Sequence, residues 1–598
     1  MNILGISADF HDASASLVMN GQLICSAAEE RFTRIKHDAR FPEQAVEFCL
    51  AQVGLNAGDL DRIVFYEQPW MKLTRVLTDV MSRFPRSINQ FGRAGRSWLT
   101  QKLWIHNRIS RAYDIHPDAV RFVPHHESHA AQAFYPSGFE QSAILTVDGV
   151  GEWTCTGIAR GSRKEGITVL ETEEYPNSVG LAYAAFTAFL GFKPNDGECS
   201  TMALAAFGKP IYADNVRRVL TPLSGGRYQL DPGFFNFFGD ADRLFTPAFI
   251  RLFGEPRRPG DPLPFSSTSA PEHVSADQQR FADIAASIQL IFEEVLLGLA
   301  RRAQALTGLD KLCLAGGTAM NAVAITRLLR ECPFDQVFVP PDPGDGGAAT
   351  GAALLACDEI PATSPPPTPY LGRQYPEQSV VEAIQTLSVE SHHRLPGARA
   401  WSGRLTHKEY GDENALVEVV AEDISRGSLI GWVQGRFEQG PRALGNRSIL
   451  ADPSDAVAAS RLSRAVKQRA PFRPYALSLA VEEAQRLIPG VDLREAARTG
   501  RWMQSIHAVN EGCVSAVRQA LHVDLTTRPQ ICSPADNRIF HKLLHAFGAR
   551  RGTAALLNTS FNESGSPIVS SPADALITFL HTDIDVLVLG MTVIRKAA

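Results

Sequence analysis

The stretch starting at Asn2, NILGISADFHDASASLVMNGQLICSAAEE, has a counterpart at Ser142, SAILTVDGVGEWTCTGIARGSRKEGITVLETEE. Each opens with a short apolar run that reads as a buried strand and ends in an acidic, turn-rich loop. A second strand, a tight turn and a third strand follow; in the first copy the turn is Asn20-Gly21, a pair suited to a type I′ hairpin. A chain that repeats this unit, with helical segments after each copy, is committed to two similar α/β halves. Its 598 residues exceed what one hydrophobic core organises. A further break comes at PATSPPPTPYLG, Pro361 to Gly372, where proline density forbids a helix or central strand. The expected limits are therefore residues 1–360, a proline-rich linker 361–372, and residues 373–598.

The duplicated half-domains predict an α/β fold of the actin, Hsp70 and sugar-kinase kind, with nucleotide held in the cleft between halves. Apolar residues at 281, 284, 288, 291, 292, 295 and 299 predict a long helix over Phe281 to Gly308, closed by that glycine. The strand Lys311–Leu314 then leads through Gly316-Gly317 into a helix from Ala319 to Arg330. A glycine pair there lets backbone approach a phosphate at a helix N-terminus, although glycines also make ordinary turns. The geometry recurs after the strand Gln336–Val339, in PPDPGDGGAATG, which carries Asp345.

FVPHHESHAAQAFY, Phe122 to Tyr135, sets His125 and His129 four apart on one helix face, with His126 turned away. Glu127 precedes His129 by two residues, so the zincin arrangement is absent. His125, His129, Asp148 and Asp345 all fall on loops or helix starts that a two-lobed fold gathers at its cleft. Two imidazoles and two carboxylates suit divalent iron, manganese or zinc. The competing reading makes the histidines buried helix-end polar groups and the aspartates turn and cap residues. In Asp9-Phe10-His11-Asp12, at the end of the first strand, His11 is either a general base toward an alcohol or a loop histidine with capping neighbours.

Lys plus Arg number 59 against 64 Asp plus Glu, a formal charge of −5, which argues against nucleic acid and membrane surfaces as partners. Nine scattered cysteines without a CxxC pair predict reduced thiols and a cytoplasmic location. The total charge conceals a basic cluster between Arg436 and Arg473. Within it Arg461, Arg464 and Arg469 read as a solvated face, while Arg442 and Arg447 lie in and after a glycine-marked turn and read as candidates for phosphate.

FHDASASL with AAEERFTRIKHD, the HHxxHA stretch, VDGVGE, AGGTAMN, GRFEQGPRALGNRS and LNTSFNESGSPIVSSPADAL occur in order along nearly the whole chain. Together they resemble the NodU/CmcH family of O-carbamoyltransferases. The resemblance implies an N-terminal domain similar to the threonylcarbamoyl-transferase ATPase-like fold and a C-terminal YrdC-like α/β domain. It implies that the C-terminal domain makes carbamoyl-adenylate from carbamoyl phosphate and ATP, and that the N-terminal domain passes the carbamoyl group to a hydroxyl of a small-molecule acceptor, typically a secondary metabolite such as an antibiotic precursor. By the same resemblance, Fe2+ or another divalent metal is held by His125, His129, Asp148 and Asp345. His11 and Lys36 are catalytic, and Asn321, with Gly316 and Gly317, contacts nucleotide. Arg442, Lys467, Arg473, Arg528, Asn558 and Ser560 serve the second domain, and a homodimer is implied. The chain departs from the family at Cys199-Ser200, where a Gly-Lys is usual, and at Ala470-Pro471-Phe472, which replaces a tryptophan pair. The rival expectations are an actin-like nucleotide-binding regulator and a metallohydrolase.

Overall fold

The computed structural model describes residues 1–82, 102–237, 243–268, 273–361, 367–390, 405–491 and 500–596. Residues 362–366 of the expected linker lie outside the described residues. Strands β1 (Asn2–Ser7), β2 (Ser14–Met19) and β3 (Gln22–Ala28) form an antiparallel meander. Asn20 and Gly21 take φ of 49° and 74°, as the type I′ turn requires. Strands β4 (Arg62–Phe65) and β5 (Val120–Phe122) add in parallel beyond β1, giving the order β3-β2-β1-β4-β5. The unit recurs with β6 (Gln141–Val147), β7 (Thr154–Ser162) and β8 (Gly166–Glu174) as the meander. After a small hairpin of β9 (Leu220–Pro222) and β10 (Tyr228–Leu230), β11 (Lys311–Ala315) and β12 (Gln336–Phe338) complete the order β12-β11-β6-β7-β8. The two sheets share one strand order and one pattern of strand direction, which is the duplicated actin-like α/β fold.

The long helix spans Ala276–Thr307 and stops at Gly308, φ 67°. It begins five residues before the periodic pattern does, because a capping box between Ser275 and Gln278 starts it on polar residues that carry no hydrophobic period. The expected helix after Gly316-Gly317 is instead a 3₁₀ turn, Gly317–Met320, followed by a helix over Ala322–Glu331 that Asn321 caps by accepting from the Ala324 amide.

One helix, Asp345–Leu355, organises the first duplicated pair. Its sequence DGGAATGAALL is small enough to touch both β1 and the helix His125–Phe134. A Cβ on Gly5 would stand 1.9 Å from the Ala349 carbonyl oxygen, and one on Gly351 would stand 1.8 Å from that of Ser128. Buried hydroxyls complete the seam: Ser14 donates to the Gly346 carbonyl at 2.6 Å, and Ser16 lies 2.9 Å from the Thr350 hydroxyl.

The described chain divides into two compact units. The first comprises Met1–Glu29, Asp38–Pro264 and Glu272–Pro367; the second comprises Glu30–His37, Phe265–Pro271 and Thr368–Ala598. Neither is a single run of chain, unlike the expected limits 1–360 and 373–598. Glu30–His37 joins the second unit because Arg31, 2% exposed, donates to the Gly440 carbonyl at 2.7 Å, and Arg34 donates to those of Ile568 and Pro567 at 2.6 and 2.9 Å.

Strands of the second unit are β13 (Leu405–Glu409), β14 (Ile430–Val433), β15 (Arg447–Ala451), β16 (Ala476–Ala480), β17 (His507–Ala508), β18 (Thr526–Thr527), β19 (Pro529–Cys532), β20 (Ala555–Ser560), β21 (Val586–Leu589) and β22 (Thr592–Lys596). Eight of them form one mixed sheet, β13-β22-β21-β14-β15-β20-β16-β19, while β17 and β18 pair separately. Alternation along each strand supplies two faces. Leu450 and Leu556 pack on the helices Glu413–Ser425 and Arg538–Arg551, whereas Ile449 and Leu557 pack on Glu377–Glu390 and Pro572–His581.

Gly351→Val is expected to lower stability by about 3 kcal/mol or more, since the packed seam cannot yield. Gly58→Ala, where an added Cβ meets nothing within 4 Å, should change it by less than about 0.5 kcal/mol. The urea midpoints of the two variants check both statements.

Candidate metal centre and anion pocket

In the first unit the ligand atoms of His125, His129, Asp148 and Asp345 lie within 4.8 Å of one another. His125 Nε2 is 3.1 Å from Asp148 Oδ2 and 3.6 Å from Asp345 Oδ1; His129 Nε2 is 3.5 and 3.3 Å from the same atoms. The two Nε2 atoms face each other at 3.1 Å. Bonds of about 2.0–2.2 Å to a divalent ion place neighbouring ligand atoms roughly 2.8–3.6 Å apart in octahedral or tetrahedral geometry, so these side chains fit such an ion as they stand. The fit is supported by Asp345 Oδ2, which is buried without a hydrogen-bond partner. Each ligand is held by local backbone: the histidines share a face of the helix His125–Phe134, Asp148 follows β6, and Asp345 opens its own helix.

Supporting groups that sequence reasoning missed surround this set. Glu152, 5% exposed, accepts from the His125 amide at 3.1 Å and the Gln68 amide at 2.7 Å, pinning the start of the histidine helix. Gln132 lies with Nε2 3.1 Å from His129 Nδ1 and donates to the Pro343 carbonyl at 2.7 Å. Gly151 is required where it is, because a Cβ would stand 2.9 Å from that of His125. The Gly316-Gly317 pair also serves this set: Gly317 donates its amide to Asp148 Oδ1 at 2.9 Å, and Gly316, at φ 94°, lies against the Val147 carbonyl. Asn321 exchanges hydrogen bonds with the Gln289 amide, 3.0 and 3.1 Å. Glu152 and Gly151 could have been singled out in VDGVGE; Gln132 had no signal beyond its place three residues after His129.

The two carboxylates dominate the electrostatics of this cluster. Burial opposes a charged His129, yet the carboxylates of Asp148 and Asp345 outweigh it and push the imidazole up to about 9. Burial would raise Asp148, but hydrogen bonds from His125 and His129 hold it well below the carboxylate range. His126 is different: burial, then the neighbouring imidazoles, push it down to about 3, and its Nδ1 lies 2.8 Å from the Thr146 hydroxyl in the core. His11 stands at the rim, Nε2 3.8 Å from Asp345 Oδ2 and Nδ1 2.9 Å from Asp12 Oδ2. Burial would lower it, but Asp345 and Asp12 raise it to about 9.

The second unit holds a cluster of cations. Lys467, 6% exposed, donates to the carbonyls of Ser560 and Asn562 at 2.5 and 2.9 Å and to Asn562 Oδ1 at 2.7 Å. Burial, then the positive charges of Arg469, Arg473 and Lys36, draw its ammonium well below the usual lysine range. Lys36, expected at the transfer site of the N-terminal domain, thus acts on Lys467 in the second unit. Arg442 is half-buried in a loop whose position is set from beneath. Glu438 Oε1 accepts from the amides of Leu444, Asn446 and Arg447 at 2.7–3.1 Å, and Asn558 Nδ2 donates to the Ala443 carbonyl at 3.3 Å. Arg447, a candidate for phosphate from its sequence position, is 1% exposed and spends its guanidinium on the carbonyls of Gln434, Asn446 and Ser570 at 2.6, 2.8 and 3.1 Å. It is a structural strut. Arg461 pairs with Asp585 at 2.7 Å, in keeping with a solvated face, and Arg528 directly precedes β19. Of the departures, Cys199 and Ser200 lie in the first turn of the helix Glu198–Ala205, and Phe472 is buried.

Comparison with known proteins matches residues 2–354 to the carbamoyltransferase N-terminus family and residues 421–596 to the carbamoyltransferase C-terminus family. An uncharacterized protein of Synechocystis sp. is 36% identical, covering 100% of this chain and 97% of its own length. Nodulation protein NolNO of Sinorhizobium fredii is 34% identical over 98% of this chain and 79% of its own. A 3'-hydroxymethylcephem-O-carbamoyltransferase of Amycolatopsis lactamdurans is 30% identical over 48% of this chain and 49% of its own.

His129→Ala should remove one divalent ion per chain, read by elemental analysis after equilibration with ferrous or manganous salt. Because His129 titrates near 9 without metal, protons compete below that value. Metal affinity should therefore rise with pH up to about 9, with proton release on binding at pH 7, as a pH series of calorimetric titrations would register.

Proposed function

The chain belongs to the carbamoyltransferase family, and from that premise we propose that it is an ATP-dependent O-carbamoyltransferase working in two stages. In the first, the YrdC-like second unit makes carbamoyl-adenylate from carbamoyl phosphate and ATP: water releases phosphate from carbamoyl phosphate, and the resulting carbamate oxygen bonds to the α-phosphorus of ATP as pyrophosphate leaves. In the second, the first unit passes the carbamoyl group to a hydroxyl of a small, hydroxylated secondary metabolite. The observation that carries the reading is His11, whose Nε2 stands at the edge of the four-ligand cluster, 3.8 Å from Asp345.

Adenylate formation brings a triphosphate and a carbamoyl phosphate together, so several negative charges must be neutralised at once. Lys467 is held under Ser560 and Asn562 with Arg473 and Lys36 as neighbouring charges, and Arg442 and Arg528 add guanidinium forks to that demand. Asn558 contributes by placing the Arg442 loop rather than by charge. An arriving phosphate offsets the repulsion that depresses Lys467, which favours its charged form.

In transfer, the acceptor hydroxyl oxygen bonds to the carbamoyl carbon, the carbon–oxygen bond to the adenylate breaks, and AMP leaves. The hydroxyl proton goes to His11 Nε2. Asp12 orients the ring by accepting from Nδ1, and a divalent ion beside Asp345 would offset the carboxylate charge that raises His11 to about 9, freeing Nε2 to act as the base. A divalent ion of the iron class, held by His125, His129, Asp148 and Asp345, would supply Lewis-acid polarisation to a carbonyl that carbamate resonance makes a poor electrophile. Asn321, Gly316 and Gly317 lie on the β11 side of that cluster and are assigned to nucleotide positioning. The acceptor class is supported by the named relatives, a nodulation protein and a cephem O-carbamoyltransferase.

With carbamoyl phosphate and ATP, Arg442→Ala should cut pyrophosphate release by about 10²–10³-fold. His11→Asn should leave pyrophosphate release intact and lose carbamate formation on added alcohols. Equal loss of both steps in the histidine variant would refute the division between the units. Where Lys467 is neutral, below the usual lysine range, proton uptake should accompany phosphate binding, and titrations over a pH series in buffers of different ionisation enthalpy measure it.

A further inference from the structure

We infer that Glu482, His541 and His545 form a second divalent-cation site, in the second unit and apart from the carbamoyl chemistry. His541 and His545 stand four apart on the helix Arg538–Arg551, so their rings share one face, with centroids 4.5 Å apart. Both turn Nε2 toward one carboxylate. His541 Nε2 is 3.0 Å and His545 Nε2 is 3.1 Å from Glu482 Oε2, and the other carboxylate oxygen is 3.2 Å from His541. The three ligand atoms lie within 4.8 Å of one another.

Two imidazoles and a glutamate are a donor set that zinc accepts, and bonds of about 2.0–2.2 Å place such donors roughly 3.0–3.6 Å apart around it. The separations of both nitrogens from the Glu482 carboxylate fall in that range with no side chain moved. Helix periodicity supplies the two nitrogens, and Glu482 arrives from the Val481–Glu483 turn that directly follows β16. Side-chain exposure is 12% at His541, 47% at His545 and 52% at Glu482, so one flank is protein and the other is open for water as a remaining ligand. The site differs in kind from the four-ligand centre: it carries one carboxylate rather than two and lies largely at the surface.

Such an ion would tie the helix Arg538–Arg551 to the end of β16. That strand lies between β19 and β20, the first preceded by Arg528 and the second carrying Asn558 and Ser560. The cation would stiffen the scaffold beneath the anion pocket while touching none of its cations, making second-unit stability responsive to zinc.

Calorimetric titration of the full chain with zinc chloride tests the assignment. Two classes of site are expected, with His129→Ala abolishing one and the double substitution His541→Ala with His545→Ala abolishing the other. Thermal unfolding should rise by several degrees with zinc in His129→Ala and stay unmoved in the chain that carries all three substitutions. His545→Gln, at the more exposed ring, gives the same readout should the double substitution unfold. Equal zinc stoichiometry in the parent and the double variant would overturn the proposal and leave the three residues as an ion pair.

Discussion

Close packing of the helix Asp345–Leu355 is the constraint on which the first unit depends. Asp345 reaches the imidazoles of His125 and His129 only because its helix lies against the helix His125–Phe134 with no side chain at Gly351 to hold them apart. The same helix lies on β1 through Gly5, and β1 ends in the loop bearing His11 and Asp12. One small-residue surface therefore registers the candidate base and a carboxylate ligand. Interiors packed to this density transmit small errors, so the seam and the chemistry stand or fall together.

The second unit solves the opposite electrostatic problem. It holds a cluster of cations together, and it does so with buried polar struts. Glu438 gathers three amides of the PRALGNR loop, and Arg447 fills the space behind with bonds to carbonyls. A buried guanidinium with so many donors is held chiefly by acceptors, and truncating it would take that donor from the Gln434 and Ser570 carbonyls at about 1–3 kcal/mol each. Lys467 shows the complementary arrangement, with oxygens fixing its ammonium and neighbouring cations repelling it.

The four residues of the candidate metal centre were legible as a group because they are chemically unusual residues at turns: two histidines at helical spacing and two aspartates after predicted strands. The hairpin at Asn20-Gly21 and the stop at Gly308 were legible for the same reason, since positive φ leaves a mark in composition. Arg447 was not. Its sequence neighbourhood is that of a phosphate-binding turn, and only burial behind Phe437 and the Gln434 carbonyl distinguishes it from Arg442. Gln132 and Glu152 were equally silent, because a supporting hydrogen bond is a property of two distant atoms and leaves no periodicity.

By itself the sequence determined two similar α/β halves, a basic cluster and the residue types of a candidate metal centre, because strand alternation, turn glycines and side-chain chemistry are local properties. Tertiary structure alone decided that Glu30–His37 belongs with the second unit, carrying Lys36 with it. That choice rests on bonds from Arg31 and Arg34 to carbonyls more than four hundred residues away. Backbone carbonyls are the same at every residue, so no pattern in the chain announces which of them a guanidinium will find.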